Sequence, residues 1–282
     1  SSLLTKQDSK VLSTVALYII NPCVIINAFQ VQYSQDVKNG IILSFLAAIV
    51  VHVIYIVGAR MLGKVYTLNG VEKATIIYTN AGNLIIPLVQ ALLGKEWVVY
   101  TTGYILVSTV FIWTHGRMLI CEETGFNVKE LLKNVNVIAS IIGILMFALK
   151  IQLPSLITET MDSMSATIAP ISMIVAGMLI AGMDVKDCLK NQRLYIIIFL
   201  KMIVFPCFAL ILLKFTNLSS MAKNGDMILL ISLLASVAPT AASVTQIAQI
   251  YDADSEYASA YYFITTLLCI LTMPIFVWIY QY

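Results

Sequence analysis

The feature that most constrains this chain is the repetition of apolar stretches close to one membrane thickness. A helix needs about 20 mostly apolar residues to cross a hydrocarbon core about 30 Å thick. The sequence holds nine such stretches, at 11–30, 40–61, 74–93, 97–116, 135–152, 157–182, 194–214, 227–250 and 257–280. Their apolar runs are continuous rather than alternating, so they do not read as a β-barrel. Only 11% of the 282 residues are charged and 60% are apolar. Soluble domains carry roughly 25% charged residues, and a single core of this size cannot hide so much apolar surface. The solvent is therefore lipid, which excludes a soluble enzyme, a nucleic-acid binder and a disordered chain.

The loops give an orientation. On the side of Ser1 lie Lys6, Lys10, Arg60, Lys64, Lys73, Arg117, Lys129, Lys133, Lys186, Lys190 and Arg193, eleven basic residues. The opposite side has five: Lys38, Lys95, Lys150, Lys214 and Lys223. The excess of Lys and Arg in cytoplasmic loops places the Ser1 end in the cytoplasm and the C-terminus, after nine spans, outside. Cys23, Cys121, Cys188, Cys207 and Cys269 form no CxxC or Cys/His cluster. They read as small buried hydrophobes rather than disulfides or metal ligands.

Helix breakers recur at matching places. Pro22 and Pro170 stand in the first and sixth spans, Pro87 and Pro239 in the third and eighth. The first and third spans' prolines are 65 residues apart, the sixth and eighth spans' 69, and the pattern returns after about 150 residues. Polar clusters surround the later pair, Asn80-Ala81-Gly82-Asn83-Leu84-Ile85-Ile86-Pro87 and Pro239-Thr240-Ala241-Ala242-Ser243. Broken helices survive at membrane depth only inside protein or beside water. A repeat of five helices is odd in number, so its two copies insert with opposite orientation, as in secondary transporters. The predicted fold is therefore an all-α integral membrane protein with an inverted 5+5 helix repeat and two broken crossover helices. Nine spans are present, so the first helix of the first repeat is expected to precede Ser1.

At these residues the sequence resembles the auxin efflux carrier family. The third span is similar to the family's Asn-x-Gly stretch followed by Pro-Leu, here Asn80 to Leu88. The eighth is similar to its Pro-Thr-Ala motif with a polar residue and then a Tyr and an acidic turn, here Pro239 to Ser243 and Tyr251-Asp252-Ala253-Asp254. Thr265, Thr266 and Pro274 fit as well. Two positions depart: Ile85 where the family often has Gly, and Ser243 where it often has Asn. The resemblance implies a fold similar to bile-acid symporters and NhaA-type antiporters. It implies a single transporter unit over 1–282, with a scaffold part at 11–30 and 135–182 and a transport part at 40–116 and 194–280. It further implies a homodimer in a plasma (inner) membrane and organic-anion substrates, auxin in plants and dicarboxylates such as malate or malonate in bacteria. Because both departures fall at the expected site, the particular substrate does not carry over.

The residue chemistry points the same way. Each helix N-terminus exposed by a break carries about half a positive charge and free N–H donors. Two such ends make a carboxylate site without a fixed cation. Asn80, Asn83, Thr240, Ser243 and Gln246 can donate to the ligand or cap the broken helices, with Gly82, Pro87 and Pro239 shaping the crossover backbone. Lys201, near the centre of the seventh span, costs about 3 kcal/mol or more in lipid and must face the interior, toward crossover carbonyls, an anion or an acid. His52, alone in mid-span, is open to a packing or a proton-relay reading.

The predicted function is a secondary carrier for small carboxylate anions by alternating access. It is no enzyme, and neither catalytic residues, a metal nor a cofactor is implied. Its partners are the anion, the bilayer and a second copy of itself. The alternatives are a sodium- or proton-coupled symporter of the bile-acid type and a membrane receptor or sensor on a transporter fold. An intramembrane hydrolase is disfavoured, because the sequence has no HExxH or GxSxG and His52 has no nucleophile partner.

Overall fold

Prolines set where these helices change geometry. In the computed structural model, which describes residues 6–122, 133, 135–181 and 190–282, Pro22, Pro87 and Pro206 each stand two residues beyond a π-helical turn. Those turns are Ala16–Ile20, Ala81–Ile85 and Leu200–Val204. Proline lacks an N–H and its ring meets the carbonyl four residues back. Widening the preceding turn relieves that clash without ending the helix.

The elements follow in order. Helices α1 (Lys6–Val15) and α2 (Asn21–Ala28) flank the first π turn. The long α3 (Gln35–Tyr66) starts at Ser34, whose hydroxyl accepts from the Val37 N–H at 3.2 Å. The first broken pair is α4 (Gly70–Ile77) and α5 (Ile86–Leu92), the latter reached through the second π turn. Next come α6 (Thr101–Phe111), α7 (Arg117–Ile120), α8 (Val135–Ala148), α9 (Ser155–Ala166) and α10 (Ile168–Ala181). Helices α11 (Gln192–Phe199) and α12 (Phe205–Phe215) flank the π turn Leu200–Val204. The second broken pair is α13 (Gly225–Val237) and α14 (Ala242–Ile250), and α15 (Ser255–Gln281) ends the chain.

Among the described residues, five helical stretches are long and apolar enough to cross a membrane: Asp8–Ala28, Gln35–Tyr66, Glu96–Ile120, Gln192–Phe215 and Ser255–Gln281. The third and eighth predicted spans are each divided, and neither half reaches span length alone. Large apolar side chains face outward along these stretches, among them Val57, Phe208, Phe215 and Ile270. So wide an apolar exterior is a lipid-facing surface. Cys207 belongs to it, and among the described cysteines only Cys269 is buried.

One apolar core runs through α3–α7 and α11–α15, joined by Val137 of α8. Helices α1, α2, α8 and α10 join through two small clusters, one of Ala16, Ile20, Val24 and Ile168, the other of Ile25, Phe29, Leu106 and Ala139. Helix α2 packs on α8 and α9, and α1 packs on α10 and α14. No residue of α9 is buried.

Candidate functional site

The two breaks cross each other. Between α4 and the π turn the chain leaves the helix at Tyr78 to Asn80, and between α13 and α14 at Ala238 to Ala241. Asn80 N–H donates to the Pro239 carbonyl at 2.8 Å, and Ala241 N–H donates to the Tyr78 carbonyl at 3.0 Å. Thr79 and Thr240 form the antiparallel bridge between them. Groups that the broken helices leave unpaired thus satisfy one another, as a backbone away from water requires. The first break lies at Tyr78–Asn80 rather than at Pro87, which stands in the first turn of α5. The π turn displaces the proline from the break.

Helix α4 is held at both ends. At its start the Asn69 carbonyl oxygen of the side chain accepts from Glu72 N–H at 2.8 Å, and Glu72 Oε2 accepts from Asn69 N–H at 2.8 Å, a reciprocal capping box. Arg193 of α11 binds both carboxylate oxygens of the buried Glu72 and donates to the Thr67 carbonyl at 2.6 Å. At the other end Lys201 Nζ donates to the carbonyls of Ile76 at 3.2 Å and Tyr78 at 3.3 Å. Lys201 is fully buried.

Beside the crossover is a cavity of about 50 Å³, several times the room one water needs. Its polar lining includes Asn21, Thr79, Asn80, Ser108, Ser243 and Gln246, and no lining residue is charged. The π turn after Asn80 and the start of α14 after Ala241 both border it. By helix geometry the first N–H groups of each, at Ala81 and Gly82 and at Ala242 and Ser243, have no intrahelical acceptor. Gln246 Nε2 is buried without a hydrogen-bond partner. Two positive helix ends and neutral donors suit one compact anionic group.

The predicted site residues divide into separate places. Asn80, Ser243 and Gln246 line the cavity, and the Asn80 side chain also hydrogen-bonds the buried Tyr262. Thr240 stands within the crossover, its N–H donating to Thr265 Oγ1 at 3.1 Å and its own hydroxyl buried and unpartnered. Pro239 is buried and supplies the crossover carbonyl to Asn80. Lys201 is not part of the cavity lining. The side chains of Asn83 and Pro87, and the surroundings of Gly82, lie outside what the structure describes. Sequence reasoning missed Asn21, Ser108 and Thr109 on the lining. Asn21 directly precedes the helix breaker Pro22, and Ser108-Thr109 is a polar pair inside the fourth apolar span, so both carried a signal.

The cavity neighbours a larger one of about 810 Å³, with which it shares Val24. This vestibule lies between α2, α9 and α5 and includes Asn27, Gln30, Gln152, Thr158 and Asp162. At the other end, toward Ser1, α1 is tied to α14. Ser13 Oγ donates to Gln249 Oε1 at 2.8 Å, Gln249 Nε2 donates to Ser9 Oγ, and all three residues are buried. Lys10 pairs with Asp252 at 3.1 Å, and the Arg117 guanidinium lies 4.8 Å from the Tyr251 ring centre. Burial pushes the Tyr251 phenol up to about 12, so that ring stays neutral beneath the cation.

The sequence matches the family of membrane transport proteins over residues 1–130 and 121–277. It is also similar to an uncharacterized transporter of Methanocaldococcus jannaschii, 24% identical over 295 aligned positions that cover 98% of this chain and 91% of that protein.

Proposed function

Because the chain belongs to the membrane transport protein family, that of the auxin efflux carriers, we propose that it is a secondary carrier of small carboxylate anions. The carboxylate group binds at the crossover between the two helix N-termini, with Asn80, Ser243 and Gln246 donating to it and Asn83 and Thr240 assigned to the same site. The observation that carries this reading is the convergence of both N-terminal ends on one small cavity without a charged side chain. Such a site attracts an anion yet forms no fixed ion pair, so release stays fast enough for turnover. Its size suits a carboxylate head rather than a bulky rigid anion.

Alternating access follows from the asymmetry between the two ends. The vestibule next to the cavity gives a route on one side, while the Ser9–Gln249–Ser13 network and the Lys10–Asp252 pair close the other. We read α1, α2 and α8–α10 as the scaffold, and α3–α7 with α11–α15 as the transport part that moves against it. Packing bears on this division: the main core consists mostly of transport helices, with Val137 of α8 reaching into it, and two smaller clusters hold the scaffold side chains. The inverted repeat, the cytoplasmic Ser1 end, the plasma-membrane location and a homodimer through the scaffold belong to the same reading.

The test is counterflow in liposomes. Protein preloaded with unlabelled malonate should accumulate labelled malonate or another small dicarboxylate against its gradient. A thermal-shift screen against mono- and dicarboxylates selects the substrate, because a ligand that binds only the folded state raises its stability. Binding without counterflow would instead favour a receptor on this fold. An absence of both would remove the carboxylate reading.

A further inference from the structure

Each broken helix has two cut ends, and the cavity accounts for only the positive pair. Helices α4 and α13 both finish at the crossover with carbonyls that no helical N–H can reach. Each such end carries about half a negative charge. In transporters with discontinuous helices, carbonyl-rich ends of this kind are where coupling cations are held. Here the place at the end of α4 is filled by the chain itself. Lys201 Nζ contacts the carbonyls of Ile76 and Tyr78 at 3.2 and 3.3 Å, and no water reaches the fully buried side chain.

The Tyr78 carbonyl is shared. It accepts from Lys201 and also from Ala241 N–H of the second broken helix at 3.0 Å. One ammonium therefore sits against the carbonyl end of α4, on an acceptor it shares with the start of α14. Among the described residues no carboxylate lies within ion-pairing distance of Lys201, so the carbonyl end of α4 is the group that compensates it. The π turn Leu200–Val204, two residues before Pro206, is the segment that carries this lysine.

We propose that Lys201 is a resident cation, occupying at the carbonyl end of α4 in the crossover the position a dissolved alkali cation would otherwise take, so that the carrier binds no coupling cation there. The coupling statement rests on the reading of the crossover as a transport site. The occupancy statement does not.

The test therefore reads stability rather than transport. The purified full chain is melted in detergent in choline, sodium and methylammonium chloride at equal ionic strength, followed by tryptophan fluorescence. The wild-type melting temperature should agree across the three salts to within about 1 °C. Lys201→Ala should melt lower in choline by roughly 5 °C or more and be raised saturably by methylammonium or sodium. Lys201→Gln keeps donors but no charge, and should behave like the Ala variant. Saturable stabilisation of the wild-type protein by sodium over choline would overturn the proposal. So would an Ala variant that melts with the wild type or is blind to all small cations, or a Gln variant that equals the wild type. If the Ala variant does not fold, the wild-type salts and the Gln variant still decide. A failure of counterflow with these stability results intact would count against the carrier reading and not against the resident cation.

Discussion

Arg193 and Lys201, eight residues apart on one helical segment, grip opposite ends of α4. Eight residues of helix rise about 12 Å, the length of the eight-residue α4 itself. Arg193 binds Glu72 in the first turn of α4, and Lys201 binds the carbonyls of Ile76 and Tyr78 at its end. The half-helix that ends in the crossover is thus splinted by its neighbour. Its cut end is positioned before any ligand arrives, which is the condition for a precise anion site.

Removing one splint has a calculable consequence. Glu72 is fully buried while Arg193 is partly exposed. Arg193→Ala therefore strands a carboxylate in the core, a loss typically of about 3–5 kcal/mol. Arg193→Lys recovers only part of it, because an ammonium cannot hold both carboxylate oxygens and the Thr67 carbonyl in one plane. Thermal unfolding of the two variants checks this. A loss below about 1 kcal/mol for Arg193→Ala, the size of an exposed ion pair, would show that α4 needs no such splint.

The cavity donors make a different prediction. Asn80→Ala and Ser243→Ala each remove a group that can reach a charged ligand, a contact worth about 1.5–3 kcal/mol. The affinity for the carboxylate chosen by the thermal-shift screen should fall by roughly tenfold or more in each variant. Calorimetry on folded protein measures it. Unchanged affinity in both would reduce these side chains to helix caps.

The closed end should open when its polar tie is cut. Gln249→Leu removes the acceptor for the buried Ser13 hydroxyl and the donor to Ser9. The leucine cannot replace either bond, so contact between α1 and α14 weakens. A cysteine placed at Ser243, on the cavity wall, reports the change in a background free of the native cysteines. Its labelling by an impermeant thiol reagent from the Ser1 face should rise several-fold when Gln249→Leu is added. Equal labelling with and without that substitution would mean that the network does not hold this face shut.

Much of this arrangement was legible in the sequence, for definite reasons. Bilayer thickness fixes span length, so apolar runs read out the long helices directly. The cost of a mid-span ammonium forced Lys201 inward and named crossover carbonyls among its possible partners. Pro239 lies at its break because no π turn intervenes, whereas the break ascribed to Pro87 falls at Tyr78–Asn80 because one does. Asn21, Ser108 and Thr109 reach the cavity from other helices, and Gln249 meets Ser13 across 236 residues. Such contacts depend on how whole helices dock, which no local pattern encodes.

The docking of α3 on α6 supplies the last prediction. A Cβ built on Gly103 would lie 2.7 Å from Ser44 Oγ and 2.8 Å from the Phe45 backbone nitrogen. The second contact is with backbone, which cannot swing aside. Gly103 is thus the small residue that lets two membrane helices approach closely, and that approach also aligns Ser44 Oγ to donate to the Tyr100 carbonyl at 2.6 Å. Gly103→Ala must push the helices apart and should cost about 1–3 kcal/mol, the usual range for overpacking. Gly177 of α10 is the control, since an added Cβ there meets nothing within 4 Å. Gly177→Ala should be neutral or stabilise by up to about 1 kcal/mol, because alanine is the better helix former. Melting of the two variants side by side tests the packing itself. Equal shifts would show that the close approach of α3 and α6 is not what Gly103 is there to permit.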